Sequence, residues 1–200
     1  MQENKDLIFL PDPVAQFHDW FSLAEAREVN DPSAMSLATV GSDGAPNVRI
    51  LLNRGMDARG FRFMTNSESQ KGDEIAANPR AAICFHWKSL RCQVRAQGIV
   101  ASVPPAESDA YFAARPRKSQ IGAWASRQSR PLESLAELDT RFAEFEAKFS
   151  GGPVPRPTYW HGYILSPDWI EFWAERPHRL HERMLYAREG NGWRQTRLYP

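Results

Sequence analysis

Between Met35 and Thr65 the chain writes three short apolar runs, MSLATV, NVRILLNR and FRFMT, kept apart by the turn letters GSDGAP and MDARG. Runs of this length bounded by Gly, Asp and Pro are strand signals, and links this short join antiparallel neighbours. The spacing predicts a three-stranded meander, and that commits the molecule to a sheet. RAAICFHW and LRCQVRAQGIVASV supply two further strands. In the second, Val94, Ala96 and Gly98 alternate with Gln93, Arg95 and Gln97, so one face is expected to be wet. TYWHGYIL, DWIEFWA and the pair HERMLYAR and WRQTRLYP, joined across Glu189-Gly190-Asn191-Gly192, complete a β-rich tail.

Helices fall between these strands. Val14, Phe17, Phe21 and Ala24 recur at helical spacing behind Asp12, a good N-cap, and Pro13. SESQKGDEIAANP reads as a short helix capped from Asn66 and stopped by Asn78-Pro79, and PPAESDAYFAAR as another. Leu135, Leu138, Phe142, Phe145 and Phe149 keep the clearest three-four spacing in the chain. Gly151-Gly152-Pro153 is an irregular connector, because the strands beyond it need a sheet to join. Strands at both ends with helices between them predict an α+β fold, a barrel with helical excursions. A length of 200 residues suits one domain, 1–200, with 1–10 as a flexible N-terminal arm.

The run RPRKSQIGAWASRQS, residues 115–129, holds four cations and no acid. Overall, 25 Lys and Arg against 24 Asp and Glu leave a formal charge of +1, so no global field favours nucleic acid and the run must act locally. Cys84 and Cys92 are too few for a disulfide scaffold and lack zinc-site spacing, which fits a reduced, cytoplasmic setting and no metal. MQENKDLIFLPDP lacks a signal h-region, and no stretch approaches the roughly 20 apolar residues of a membrane span.

The common nucleotide-binding, zinc-protease and serine-hydrolase motifs are absent. What remains are polar groups on separate elements: Arg49, Ser69 with Lys71, Gln93, the 115–129 run, and Trp173 to Arg183. Such groups suit a flat, phosphorylated cofactor, since a phosphate dianion takes Arg, Lys, hydroxyl and helix N-terminal N–H donors, and SESQKG offers these within one turn. If HRLHER lies on a strand, Arg179, His181 and Arg183 share one face opposite His178, Leu180 and Glu182. His86 and His161 read as structural or surface histidines.

DPSAMSLATV, RILLNRGMDARGFRFMTN, SQKG, FHWKSLRCQVRAQG, YFAARPRKSQIGAWASRQS, IEFWAERPHRLHER and the closing RLYP follow one another in an order that resembles the pyridoxine (pyridoxamine) 5'-phosphate oxidase family over residues 10–200. The resemblance implies a homodimeric, mainly antiparallel split β-barrel with flanking helices and FMN at the subunit interface. It further implies oxidation of pyridoxine or pyridoxamine 5'-phosphate to pyridoxal 5'-phosphate, with O2 as acceptor and H2O2 as product. Carried over by position, FMN contacts fall on Arg49, Ile50, Leu51, Leu52, Asn53, Arg54, Met64, Thr65, Gln70, Lys71, Gln93, Gln128, Ser129, Trp173 and Arg183. Substrate contacts fall on Arg54, Tyr111, Arg115, Ser119, Arg179, Leu180 and His181, with Arg179 and His181 the expected catalytic pair. Tyr111, Arg115 and Ser119 are expected on one helical face.

The chain departs from the family pattern at Asn53, at Arg54 where Lys is usual, at Met56 and Met64 where Tyr is usual, and at Gln70 where Arg is frequent. These changes bear on FMN affinity and rate more than on fold. Two other readings stay open: a related FMN oxidase with another substrate, and a non-catalytic protein that binds FMN or pyridoxal 5'-phosphate.

Overall fold

The computed structural model describes residues 9–200. Of the arm expected over 1–10, residues 1–8 lie outside the described residues. The Leu10 carbonyl accepts hydrogen bonds from Tyr186 Oη (2.6 Å) and Gln195 Nε2 (2.9 Å).

Helix α1 (Pro13–Arg27) starts as the sequence predicts, with the Asp12 carboxylate accepting from the N–H groups of Val14 and Ala15. Its apolar stripe places the Phe17 ring 5.0 Å from Phe61 and 5.3 Å from Phe85. The predicted meander forms as β1 (Ala34–Val40), β2 (Pro46–Asp57) and β3 (Gly60–Asn66). Next come α2 (Gln70–Ala77), β4 (Arg80–Trp87), β5 (Cys92–Ser102), α3 (Pro105–Ala113), α4 (Arg117–Ala125) and α5 (Leu135–Lys148). The chain ends in β6 (Trp160–Ala174), β7 (Glu182–Glu189) and β8 (Gly192–Arg197). The sheet order is β3-β2-β1-β4-β5-β6-β7-β8, every strand antiparallel to its neighbour. β3 also pairs with β6, which closes six strands into a barrel and leaves β7 and β8 as an extension. This is a split β-barrel with flanking helices, its interior filled by Leu37, Phe61, Phe63, Phe85, Val94 and Phe172.

The structure corrects the sequence reading at four places. TYWHGYIL and DWIEFWA are not two strands but one, β6, which bends where its register against β5 skips Asp168. Gly98 makes the bend possible: a Cβ there would lie 1.9 Å from the Ser166 carbonyl oxygen, which is backbone and cannot yield. Gly98→Ala is therefore expected to lower stability by about 3 kcal/mol, the upper range for overpacking, read as a drop in the urea midpoint.

The cap of α2 is Ser69, not Asn66. Asn66 ends β3 and turns its side chain onto the N–H of Glu68 (2.7 Å), leaving Ser69 Oγ to accept from Gly72 N. Tyr111, Arg115 and Ser119 do not share a helical face. Proline at 116 ends the run of helical hydrogen bonds, so α3 and α4 are separate and Arg115 sits in their junction. Finally, HRLHER is not a strand. Pro177 opens a single 3-10 turn over Pro177–Arg179, His178 and Arg179 adopt left-handed φ values of 59° and 62°, and β7 begins only at Glu182.

Helices α3 and α4 pack a second, smaller core of Phe112, Ile121, Val154 and Trp160 beside the barrel. No helix among the described residues is long and apolar enough to cross a membrane.

Candidate functional site

Where this small core meets the barrel, β2, β3, α3 and α4 enclose a cleft of about 520 Å³. Ten of the predicted residues line it: Ile50, Leu51, Leu52, Arg54, Met64, Thr65, Tyr111, Arg115, Ser119 and Gln128. Breaking the helix at Pro116 turns α4 back, so Ser119 reaches the same wall as Tyr111 and Arg115 even though the three share no face. Trp160, which the sequence placed only within the strand TYWHGYIL, forms part of that wall.

Arg115 lies 4.8 Å above the Trp160 ring and 5.7 Å from Phe112, with its Nη1 buried and without a hydrogen-bond partner among the described residues. Burial is the main effect that disfavours its charged form; the charge of Arg54 adds to it and Tyr111 opposes it. Arg54 itself is exposed, 5.9 Å from the Tyr111 ring.

Beneath the cleft, Lys71 is the second desolvated cation. Its ammonium donates to Ser69 Oγ (3.1 Å) and Gln128 Oε1 (3.1 Å), both neutral oxygens. Burial, then the neighbouring Arg49, push its pKa down, and Glu74 only partly offsets them. Thr65 Oγ1 also donates to Gln128 Oε1 at 3.5 Å, so this amide ties α2 to β3. Helix α2 can begin here only because residue 72 is glycine: a Cβ would meet the Ser67 carbonyl oxygen at 2.2 Å.

Arg49 points inward from β2. Its Nη2 pairs with Glu74 Oε2 at 3.0 Å and its Nη1 donates to Thr39 Oγ1 and the Leu37 carbonyl. Glu74 also accepts from Asn47 Nδ2 (2.7 Å), Gln70 Nε2 (3.0 Å) and Thr39 Oγ1. Burial works against its ionised form, and the hydrogen bonds from Thr39 and Arg49 outweigh it, holding the carboxyl below its usual range. Asn53 is buried away from the cleft. With its amide nitrogen facing two carbonyls, it donates to Gly55 O (3.0 Å) and Arg62 O (3.2 Å), bridging the irregularity between β2 and β3. Ser129 is exposed next to Gln128, in a left-handed conformation with φ 70°.

The other predicted residues are elsewhere. Gln93, Trp173 and Arg183 lie side by side on β5, β6 and β7, and the His181 ring is 4.6 Å from that of Trp173. Arg179 and the exposed Leu180 complete this group, and none of the six lines the cleft. His181 Nδ1 accepts the N–H of Arg176 at 3.3 Å, so the neutral ring carries its proton on Nε2. On the outer face of the sheet a cross-strand row runs Ile50, Ser36, Cys84, Arg95, Glu171. From Ile50 on β2 this row crosses three to five strand spacings, on the order of 14–24 Å, to reach β5, β6 and β7, which carry the second group. β6 also pairs with β3, but through Trp160–Leu165, at the other end of the strand from Trp173.

Comparison with known proteins agrees with this fold. The family model described as Pyridoxamine 5'-phosphate oxidase matches residues 23–149, and that described as Pyridoxine 5'-phosphate oxidase C-terminal dimerisation region matches residues 160–200. A pyridoxine/pyridoxamine 5'-phosphate oxidase of Rhodospirillum rubrum is 54% identical over 94% of this chain and 96% of its own length. One of Gluconobacter oxydans is 53% identical over 94% of each. Among solved structures, PhzG from Burkholderia lata in complex with tetrahydrophenazine-1-carboxylic acid superposes with a TM-score of 0.90 at 32% identity, covering 100% of this chain and 97% of that one. A pyridoxamine 5'-phosphate oxidase-related, FMN-binding protein of Nostoc punctiforme shares the fold, with a TM-score of 0.73 at 20% identity over 92% of this chain and 97% of its own. A split barrel with two groups of polar residues, matched along both segments and at more than half identity, leaves one assignment: the chain is an enzyme of the pyridoxine/pyridoxamine 5'-phosphate oxidase family.

Proposed function

We propose that the chain oxidises pyridoxine 5'-phosphate or pyridoxamine 5'-phosphate to pyridoxal 5'-phosphate with FMN as cofactor, O2 as electron acceptor and H2O2 as product, the amine substrate also taking up water and releasing ammonia. The observation that carries this reading is a pair of desolvated cations in one region, Arg115 and Lys71, neither held by a carboxylate among the described residues. Buried cations without counter-charges favour anions, and two such centres suit two phosphates. Lys71, Arg49, Ser69 and the start of α2 form a donor set that fits the FMN phosphate, with Gln70, Thr65, Gln128 and Ser129 around it. Ile50, Leu51, Leu52, Arg54 and Met64, which line the cleft, would flank the flavin. Tyr111, Arg115, Ser119 and Arg54 form a second set that fits the substrate phosphate. Bound FMN supplies the hydride acceptor and passes the electrons on to O2.

Gln93, Trp173, Arg179, Leu180, His181 and Arg183 stand too far along the sheet to serve the same cleft, so we assign them to the cleft of a second copy. The match to a dimerisation region over residues 160–200 and the exposed Val48 and Ile50 (69% and 63%) on the outer face support a homodimer with FMN between subunits. Within it, Arg179 would orient the substrate ring and His181 would present its Nε2–H to the reacting substituent, its Nδ1 being occupied. Arg179→Leu is then expected to lower kcat at least about a hundredfold with FMN content unchanged, read by turnover and by the flavin absorbance of the purified protein.

The likeness to PhzG favours a second reading, an FMN oxidase acting on another flat aromatic compound. One experiment decides: purify the protein, record its flavin spectrum, and add pyridoxine 5'-phosphate under air. Peroxide together with the pyridoxal phosphate chromophore supports the proposal. A flavin spectrum without product supports the second reading, and a protein that binds no added FMN refutes both.

A further inference from the structure

The group on β5, β6 and β7 contains a carboxylate with no part in the chemistry proposed above. Glu171 lies on β6 two residues before Trp173, on the outer face of the sheet, yet it is only 2% exposed. Two guanidiniums cover it. Arg95, its cross-strand partner, bonds Oε2 through Nη2, and Arg183 bonds Oε1 through Nε at 2.7 Å. Burial opposes its ionisation, and the hydrogen bonds from Arg183 and Arg95 overcome this, keeping the carboxyl below its ordinary range.

The two arginines are held differently. Arg95 lies over the Trp169 ring at 5.3 Å with a side chain 43% exposed, a counter-charge on the surface. Arg183 is fixed at a second point, its Nη1 donating to the Tyr199 carbonyl at 2.9 Å. Two anchors on different nitrogens set the plane of a guanidinium, and neither uses Nη2. A group whose only task was to neutralise Glu171 would not need its plane fixed by the C-terminal backbone.

We propose that Glu171 is a positioning residue for Arg183: it orients the guanidinium so that Nη2 remains available to FMN, and it acts on FMN affinity only through Arg183. The inference rests on the FMN reading given above. The rival account makes Glu171 a structural tie across β5, β6 and β7, in which case its loss lowers stability whatever stands at position 183.

A double-mutant cycle separates the two accounts. FMN fluorescence quenching gives the Kd for apoprotein carrying Glu171→Gln, Arg183→Met, both changes, or neither, with the thermal midpoint of each apoprotein recorded beside it. Each single change is expected to weaken FMN about tenfold or more, and the double variant to bind no more weakly than Arg183→Met. Arg95→Met is expected to change the Kd less than about twofold, because Arg95 is only the counter-charge. Single effects that multiply in the double variant overturn the inference, as does a Glu171→Gln protein with normal affinity and a lowered midpoint. Should Glu171→Gln fail to fold, Glu171→Asp, which keeps the charge but draws it back by one methylene, enters the same cycle. Wild-type protein that leaves FMN unquenched overturns the oxidase reading and the inference with it; quenching by wild type with multiplying effects overturns the inference alone.

Discussion

Arg115→Met is expected to lower kcat/KM for pyridoxine 5'-phosphate by about a hundredfold or more while leaving the thermal midpoint of the free protein unchanged or raised. The two halves of this expectation share one cause. Without ligand, the guanidinium is partly desolvated over Trp160, its Nη1 has no acceptor among the described residues, and Arg54 adds like charge. Those are costs to the folded state, and a methionine of similar length keeps the contact with Phe112 and Trp160 without them. With a phosphate in the cleft the same features turn favourable, because a preorganised donor meets a dianion with little solvent to displace. Steady-state kinetics and a melting curve test both halves. A lowered midpoint with unchanged kcat/KM would make Arg115 a packing residue instead. Arg54 is exposed, so its loss is expected to cost less.

The fate of the 115–129 run shows what the sequence can and cannot say. Its strand and helix neighbours were legible because turn letters and apolar spacing are local signals, and all eight strands but the joined β6 lie where those signals put them. The division of labour among its cations was not. Arg115 enters the cleft, whereas Arg117 donates to the Phe149 and Gly152 carbonyls and so closes the C-terminal end of α5. Arg127 faces a neighbouring hollow with Arg130 and Arg141. Nothing in a list of basic residues separates these roles, because each depends on which carbonyl or ring the fold brings up to it.

The same limit hid the carboxylates. No local signal in the sequence sets Glu74 on a short helix or Glu171 on a strand apart from other acids, and only the packed fold buries them against Arg49 and Arg183. The turn over Pro177–Arg179 escaped for another reason. HRLHER follows Pro177 directly, and two successive left-handed residues other than glycine carry no local signature that would break the alternation expected of a strand. Asn53, Arg54, Met56, Met64 and Gln70 were legible as departures from the family pattern, and the structure gives each a setting: Asn53 bridges the β2–β3 irregularity, Arg54 and Met64 line the cleft, Met56 is in the core and Gln70 donates to Glu74.

Glu74→Ala is expected to destabilise the protein by about 3 kcal/mol, the lower edge of the range for breaking a buried pair, because Arg49 keeps 20% of its side chain wet. Removing the carboxylate leaves donors from Thr39, Asn47, Arg49 and Gln70 without their acceptor. It also removes a charge that offsets the repulsion between Arg49 and Lys71. The wild-type pH dependence follows in sign from the lowered folded-state pKa of Glu74. The unfolded chain takes up a proton on this group near pH 4.3, the folded chain only at lower pH, so between the two the unfolded state binds more protons. The stabilisation is therefore complete above the unfolded pKa and is lost as pH falls through the folded one. Urea midpoints measured from pH 7 downward should show wild type and Glu74→Ala far apart at neutral pH and converging in acid. A gap that stays constant to the lowest pH would mean that the side chain acts by packing, and that the charge it places between Arg49 and Lys71 contributes nothing.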